Sequence, residues 1–312
     1  MKNQNRSSVP SILMKTETIA YGGWDNCLRL SNGTVDAVIP LEIGPRIIRC
    51  GFVGGPNLLG EIETDLGETG GEEWRMYGGH RLWHSPEDKI RTYQPDNRPI
   101  RWREEERRVT VTQLVEELTG IEKELTVGMG EEGRRIKVLH RLTNRGTDSL
   151  QLAAWAITVM APGGLEVIPQ PDRDTGLLPN RTITLWPYSR MDDPRVRWGN
   201  RFITLRQVSG LPGPFKFGLP GEAGWAAYFN RDALFIKKFD HKAGAEYPDF
   251  GCSYETYTND FMLEMETLSP LQTLLPGETV EHREVWELYR DLSVPSGEDK
   301  IAAIISPLMG KK

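Results

Sequence analysis

The run IKVLHRLTNRGTDSLQLAAWAITVM, residues 136–160, decides the fold class. In a β-strand, successive side chains point to opposite faces, so residues at every second position share a face. Four such residues form one largely apolar stripe: Ile136, Val138, His140 and Leu142. A turn signal at residues 144–146 separates this stripe from the apolar stretch Leu150–Met160. The pattern predicts consecutive strands of an antiparallel meander, with His140 as a core residue.

The same pattern continues on both sides of this run. Further alternating stretches, bounded by turns rich in glycine, proline and asparagine, are Val35–Ile39, Arg46–Phe52, Val109–Thr112, Gly120–Val127, Trp225–Phe229, Ala233–Phe239, Phe261–Leu268 and His282–Leu288. Only residues 296–305 look helical. The sequence therefore predicts an all-β fold. We expect a single domain over residues 1–312, with a flexible tail at residues 1–16.

The net charge of the chain argues against two classes of partner. Its 312 residues include 38 Lys and Arg against 44 Asp and Glu, a formal net charge of −6. Nucleic acids and anionic membranes attract basic surfaces, so neither is an expected partner. No stretch has the length and apolar character of a membrane span or a signal peptide. We therefore expect a cytoplasmic protein, and the sequence does not indicate its oligomeric state.

No metal or cofactor is expected from the motifs. Cys27, Cys50 and Cys252 are odd in number, far apart and without metal-ligand spacing, which is typical of reduced thiols. The sequence contains no phosphate-binding loop, dinucleotide fingerprint, HExxH pair or serine-nucleophile elbow.

The most chemically dense stretch is YGGHRLWHSPE, residues 77–87. Imidazole and guanidinium groups hydrogen-bond hydroxyls, and an indole ring stacks on the apolar face of a sugar. The candidate ligand-binding residues here are His80, Arg81, Trp83, His84 and Glu87. The alternative is structural, because a Gly-Gly turn followed by a partly buried His and Trp is common in large β proteins.

A second candidate lies near the C-terminus, in Phe261–Leu268. Alternation places Glu264 and Glu266 on one face of the strand, roughly 7 Å apart. Carboxylates at this distance raise each other's proton affinity unless a cation lies between them. The alternative is a solvated outer face, which is the commoner position for Glu in a strand.

Several segments resemble one superfamily. The strands and turns at residues 32–35, 43–47 and 55–59 look like the first hairpins of the galactose mutarotase-like proteins, which are antiparallel β-supersandwiches. The segment Glu264–Thr267 is similar to the one in which a mutarotase presents its general base, which would be Glu266. A bacterial branch of unassigned function is resembled most, through the runs GGHRLWHSPE, LPNR, LWPY, YPDFG and METLSPL.

The resemblance implies a carbohydrate ligand and aldose 1-epimerase chemistry. Mutarotation needs a base near the anomeric hydroxyl and an acid near the ring oxygen. Glu266 would be the base and His80, or else His84, the acid. Substrate-binding residues would be Arg46, Arg81, Trp83, His84, Glu87, Trp155, Asp249 and Glu264. The family's acid histidine falls by order near Trp155, where Leu150–Met160 contains no histidine.

Two other functions are compatible with the same residues. One is a non-catalytic carbohydrate-binding protein that uses Trp83 and Trp155 for recognition. The other is a glycoside hydrolase or lyase, which needs two carboxylates flanking the scissile bond. Its candidates would be Glu87, Asp249, Glu255, Glu264 and Glu266.

Overall fold

A computed structural model describes residues 14–130 and 133–310. The strands are β1 (Lys15–Tyr21), β2 (Trp24–Ser31), β3 (Val35–Pro40), β4 (Arg46–Ile47), β5 (Arg49–Phe52), β6 (His80–Ser85), β7 (Arg101–Glu105), β8 (Arg108–Thr112), β9 (Ile121–Met129), β10 (Arg135–Asn144), β11 (Leu150–Met160), β12 (Leu165–Pro169), β13 (Thr184–Leu185), β14 (Val196–Trp198), β15 (Phe202–Arg206), β16 (Phe215–Leu219), β17 (Trp225–Asn230), β18 (Ala233–Phe239), β19 (Tyr254–Thr258), β20 (Leu263–Leu268), β21 (Gln272–Leu274) and β22 (Thr279–Arg290). The helices are α1 (Pro248–Gly251) and α2 (Glu298–Met309).

These strands form three sheets, and every pairing between strands is antiparallel. A ten-stranded sheet has the order β14-β15-β12-β17-β18-β22-β10-β9-β8-β7. An eight-stranded sheet has the order β13-β16-β19-β20-β11-β6-β4, with β21 also paired to β11. The smallest sheet has the order β1-β2-β3-β5. The predicted all-β, antiparallel fold class is confirmed.

The expected pairing of β10 with β11 is wrong. β10 pairs with β9 and β22 in the ten-stranded sheet, whereas β11 pairs with β6 and β20 in the eight-stranded sheet. The turn at residues 144–146 therefore carries the chain from one sheet to the other. β11 is buried on both faces from Leu152 to Met160, which suits a central strand better than one side of an exposed hairpin.

The inner faces of the two large sheets pack together and form the main core. The stripe on β10 faces this core as predicted, with Ile136, His140 and Leu142 fully buried. Across the sheets, His140 contacts His80 of β6 through their Nε2 atoms at 2.7 Å. The opposite face of β6, β11 and β20 therefore points away from the ten-stranded sheet.

The chain ends match the sequence predictions only in part. β1 begins at Lys15, so residues 15 and 16 of the predicted tail belong to a strand, and residues 1–13 lie outside the described part of the chain. The C-terminal helix covers Glu298–Met309 rather than residues 296–305 and packs Ile301 and Ile305 on the ten-stranded sheet. Among the described residues, no helix is long and apolar enough to cross a membrane. The single-domain assignment stays a prediction.

Candidate functional site

The eight-stranded sheet gathers charged and aromatic side chains on the face that points away from the main core. Strand register places Ile157 opposite both Arg81 and Glu266, and Glu266 opposite Glu255. Directly opposed residues share a face, and so do residues two positions along a strand. We call this surface the site face and define it by Arg81, Trp83, Trp155, Lys216, Glu255, Glu264 and Glu266.

The centre of the site face is a lysine shared by two glutamates. Lys216 Nζ lies 2.8 Å from Glu255 Oε2 and 2.9 Å from Glu266 Oε2. Trp155 Nε1 donates a second hydrogen bond to Glu266 Oε2, at 2.9 Å. The ammonium also lies 4.6 Å from the ring centroids of Trp155 and Trp186. Glu266 is only 1% exposed, so this cluster is shielded from water.

Three ionisable groups in this cluster perturb one another. Burial alone would lower the pKa of Lys216, but the neighbouring carboxylates of Glu255 and Glu266 raise that pKa well above its usual value. Burial raises the pKa of Glu255 well above its usual range and raises the pKa of Glu266 as well, although Lys216 opposes both shifts. Two carboxylates thus share one cation. Burial therefore opposes the charge of both carboxylates, and Lys216 is the cation that opposes this effect.

A second ion pair lies beside this cluster. Arg81 Nη1 donates to Glu264 Oε1 at 2.9 Å, and both side chains are nearly buried. The Arg81 guanidinium lies 4.4 Å from the ring centroid of Trp83 and 5.5 Å from that of Trp74. Cations attract aromatic faces in this geometry. Arg81 is therefore fixed in position while its planar group remains among aromatic rings.

Aromatic rings cover the part of the site face near β6. Trp83 contacts Trp74, Tyr93 and Trp155, with ring centroids 4.8 to 5.5 Å apart. Trp74 and Tyr93 are only partly buried. Tyr93 donates its hydroxyl to Glu87 at 2.7 Å, at the exposed margin of this aromatic cluster. The arrangement supplies flat apolar surfaces next to charged hydrogen-bonding groups.

The structure brings together six of the sequence-predicted residues: Arg81, Trp83, Trp155, Glu255, Glu264 and Glu266. Glu87 lies at the margin, as described. Arg46 is adjacent to Arg81 in the sheet, but its guanidinium is bound by Asp96 at 2.7 Å and by the Gly78 carbonyl at 2.6 Å. Asp249 lies in α1 with a left-handed backbone, φ 51°, and its charge helps to raise the pKa of Glu255.

Neither candidate acid, His80 nor His84, lies beside Glu266, and this placement corrects their assignment to the site. Both occupy the alternate positions of β6 and point to the core side of the sheet. His80 Nδ1 lies 2.8 Å from Thr158 Oγ1, and its side chain is fully buried. His84 Nε2 lies 3.1 Å from the carbonyl oxygen of Arg91. Burial lowers the pKa of His80 well below its usual value and that of His84 to about 4.

Sequence reasoning missed the central lysine. The segment Phe215-Lys216-Phe217 alternates, so the sequence does predict that Lys216 points away from the two phenylalanines. No sequence signal pairs it with Glu266, which lies 50 residues away along the chain. Glu255 was a candidate only for hydrolase chemistry.

One group of described side chains has the residue types of a metal site. Ligand atoms of His80, His140 and Glu284 lie within 4.8 Å of one another in the core. However, the two Nε2 atoms are 2.7 Å apart, which is closer than two ligands about 2.0–2.1 Å from one tetrahedral ion can approach. Glu284 also accepts hydrogen bonds from Lys237 and Trp286. The geometry fits a hydrogen-bonded network and does not fit an ion.

Solved structures share this arrangement of sheets. A galactose mutarotase-like protein from Lactobacillus casei aligns at 12% identity and TM-score 0.53, over 88% of this chain and 100% of that one. A galactose mutarotase-like protein from Clostridium acetobutylicum aligns at 12% identity and TM-score 0.52, over 90% and 99%. The chain has the galactose mutarotase-like fold.

Other comparisons mark the limits of this likeness. A TPR-domain containing protein from Parabacteroides distasonis aligns at 14% identity and TM-score 0.58 over 87% of this chain, which spans about half, 49%, of that protein. The sequence matches no known family model and no curated protein. The mutarotase-like fold is therefore established, whereas the narrower resemblance to one bacterial branch stays a prediction.

Proposed function

We propose that this chain binds a carbohydrate at the site face and interconverts the anomers of an aldose by general acid–base catalysis. The observation that carries the proposal is the buried carboxylate of Glu266, held by Trp155 and Lys216 within a ring of aromatic side chains. Such a carboxylate has a raised pKa and a fixed position, which are the properties of a general base.

Sugar recognition would use both the aromatic rings and the charged side chains of the site face. The indole rings of Trp83 and Trp155 offer stacking surfaces for the apolar face of a pyranose. Arg81 and Glu264 can donate to and accept from ring hydroxyls, since each carries more hydrogen-bonding capacity than their mutual bond uses. Because Glu266 is so deeply buried, the side chains around it must shift to admit the sugar.

Proton transfer would begin at Glu266. Its carboxylate takes the proton of the anomeric hydroxyl, and Lys216 gives a proton to the ring oxygen, so that the C1–O5 bond breaks and the open-chain aldehyde forms. Rotation about C1–C2 and the reverse transfers produce the other anomer and restore both groups. The raised pKa of Lys216 keeps the ammonium protonated until a sugar is bound. When Glu266 becomes neutral, one of those carboxylate charges disappears and the ammonium loses its proton more readily.

The test is anomer exchange followed by NMR on a panel of aldoses, with the wild type and Glu266→Gln. We expect the wild type to accelerate exchange and Glu266→Gln to lose about 10²- to 10⁴-fold in rate. Arg283→Gln is the control, because Arg283 is an exposed residue of the ten-stranded sheet. Equal acceleration by Glu266→Gln and the control would refute a base role for Glu266.

A non-catalytic sugar-binding protein is the second candidate. It is favoured by the absence of a histidine from the site face and by the tight pairing of Lys216 with both carboxylates. Binding without acceleration of exchange, detected as a sugar-dependent change in tryptophan fluorescence, would support it. A hydrolase that uses Glu255 and Glu266 has less support, because Lys216 occupies the space between these carboxylates where a glycosidic bond would have to lie.

A further inference from the structure

A buried ion pair of the opposite sheet contacts the backbone on both sides of Glu266. Lys237 of β18 and Glu284 of β22 lie in the core between the two large sheets, and Lys237 Nζ is 2.9 Å from Glu284 Oε1. Neither side chain is exposed. Because they are on the core side of β20, they reach its backbone and not the Glu266 side chain.

The ion pair contacts residues that adjoin Glu266 and Trp155 in the sequence. These are the two site-face residues that hydrogen-bond each other. Lys237 Nζ donates to the carbonyl oxygen of Met265 at 2.9 Å, one residue before Glu266. Thr267, one residue after Glu266, donates its hydroxyl to Glu284 Oε1 at 2.5 Å. Lys237 Nζ also lies 3.3 Å from the carbonyl oxygen of Ala156, which follows Trp155.

These contacts of Lys237 and Glu284 lie where β20 and β11 pair with each other. Ile157 and Glu266 are opposed in register, and Trp155 donates its indole hydrogen bond to Glu266 across the same pair of strands. A single ammonium that holds a carbonyl in each strand limits their relative displacement. A shift of about 1 Å in a reacting group can cost on the order of 100-fold in rate. The position of the Glu266 carboxylate is therefore sensitive to this pair.

We propose that Lys237 and Glu284 are positioning residues for Glu266 and Trp155. The pair holds the backbone of β20 and β11 from the core side of the sheet. The Glu266 carboxylate and the Trp155 indole are thereby kept at a fixed distance. This inference rests on the proposed function for its kinetic consequence. Its structural part, the dependence of the Trp155–Glu266 hydrogen bond on the ion pair, can be tested separately.

A matched comparison is available within the chain. Lys123 and Glu116 form another nearly buried ion pair, with Nζ 2.6 Å from Oε1, and neither residue belongs to the site face. The test variant is Lys237→Met with Glu284→Gln, which removes both charges together. The control is Lys123→Met with Glu116→Gln. Both double variants avoid leaving a single unpaired charge in the interior.

In the test variant we expect kcat for anomer exchange to fall about 10- to 100-fold with KM nearly unchanged, whereas the control keeps the wild-type kcat. We also expect the indole N–H proton resonance of Trp155 to move in the test variant and to stay in place in the control. A wild type that does not accelerate exchange would refute the proposed function, while the indole resonance still tests the positioning. An active wild type whose kcat and indole resonance are the same in both double variants would overturn the inference.

Thr267→Val provides the second variant if the double variant does not fold. It removes the hydroxyl that bonds Glu284 and that also hydrogen-bonds His282 Nε2, and it keeps the size of the side chain. The expected loss in kcat is smaller, about 10-fold, with the indole resonance displaced in the same direction. An unchanged kcat and an unchanged resonance in Thr267→Val would likewise overturn the inference.

Discussion

Two buried lysines on opposite sides of one sheet have opposite electrostatic environments. Lys216, on the site face, contacts two carboxylates, which raise its pKa. Lys237, in the core, contacts one carboxylate and two backbone carbonyls, and burial lowers its pKa. The first cluster has more carboxylates than cations and carries the proposed proton transfers. The second is balanced, with each charge matched, and serves to hold strands together.

The largest expected effect is on activity, from Lys216→Met. The proposed proton donor is then absent, and we expect anomer exchange to slow by about 10²- to 10⁴-fold. Lys238→Met is the control, since Lys238 lies on the outer side of β18 and pairs with Glu287. Exchange NMR measures both. A Lys216→Met rate that matches the control would remove Lys216 from the proposed mechanism and weaken the contrast between the two lysines.

The second effect is on stability. It compares the two clusters by removing the lysine of each in turn. Lys237→Met leaves the Glu284 carboxylate buried without a cation, which costs about 3–5 kcal/mol in the free energy of unfolding. Lys216→Met should cost less, because Glu255 and Glu266 already have raised pKa values and can take up protons. Urea unfolding of the two variants measures the difference. Equal losses would show that the two clusters are not energetically distinct.

Per histidine and per pH unit, the smallest effect is at the histidines packed beside Lys237. Burial lowers the pKa of His80, of His140 and of His282, the last to about 3. Below their usual pKa of about 6.5 the unfolded chain binds more protons than the folded one. Their contribution to stability is therefore complete above pH 6.5 and is lost as the pH falls, by up to about 1.4 kcal/mol per pH unit for each histidine.

Urea unfolding at pH 7, 6, 5 and 4.5 measures this slope. We expect His282→Gln to have a shallower dependence than the wild type over this range. His241→Gln, which changes a less buried histidine, should keep most of the wild-type dependence of stability on pH. A wild type whose stability does not change between pH 6.5 and 4.5 would contradict a neutral histidine cluster in the core.

Much of the site was predictable because successive side chains of a strand point to opposite faces of the sheet. The period of two placed Glu264 and Glu266 on one face, and the pairing of β20 with β11 confirms that this face also carries Trp155. The same rule separates His80 from Arg81, but it does not say which of them faces the ligand. β6 is buried on both faces, so neither the apolar pattern nor exposure distinguishes its two sides.

The sequence by itself determined the all-β class, the alternation of each strand and the likeness to the galactose mutarotase-like fold, because these depend on local periodicity and short motifs. Only the tertiary structure decided which face of each strand becomes the site face, and that Lys216 lies between Glu255 and Glu266. It also decided that β10 and β11 belong to different sheets. The physical reason is that strand pairing joins residues far apart in the chain, and their mutual burial, rather than their own sequence, sets their charge and contacts.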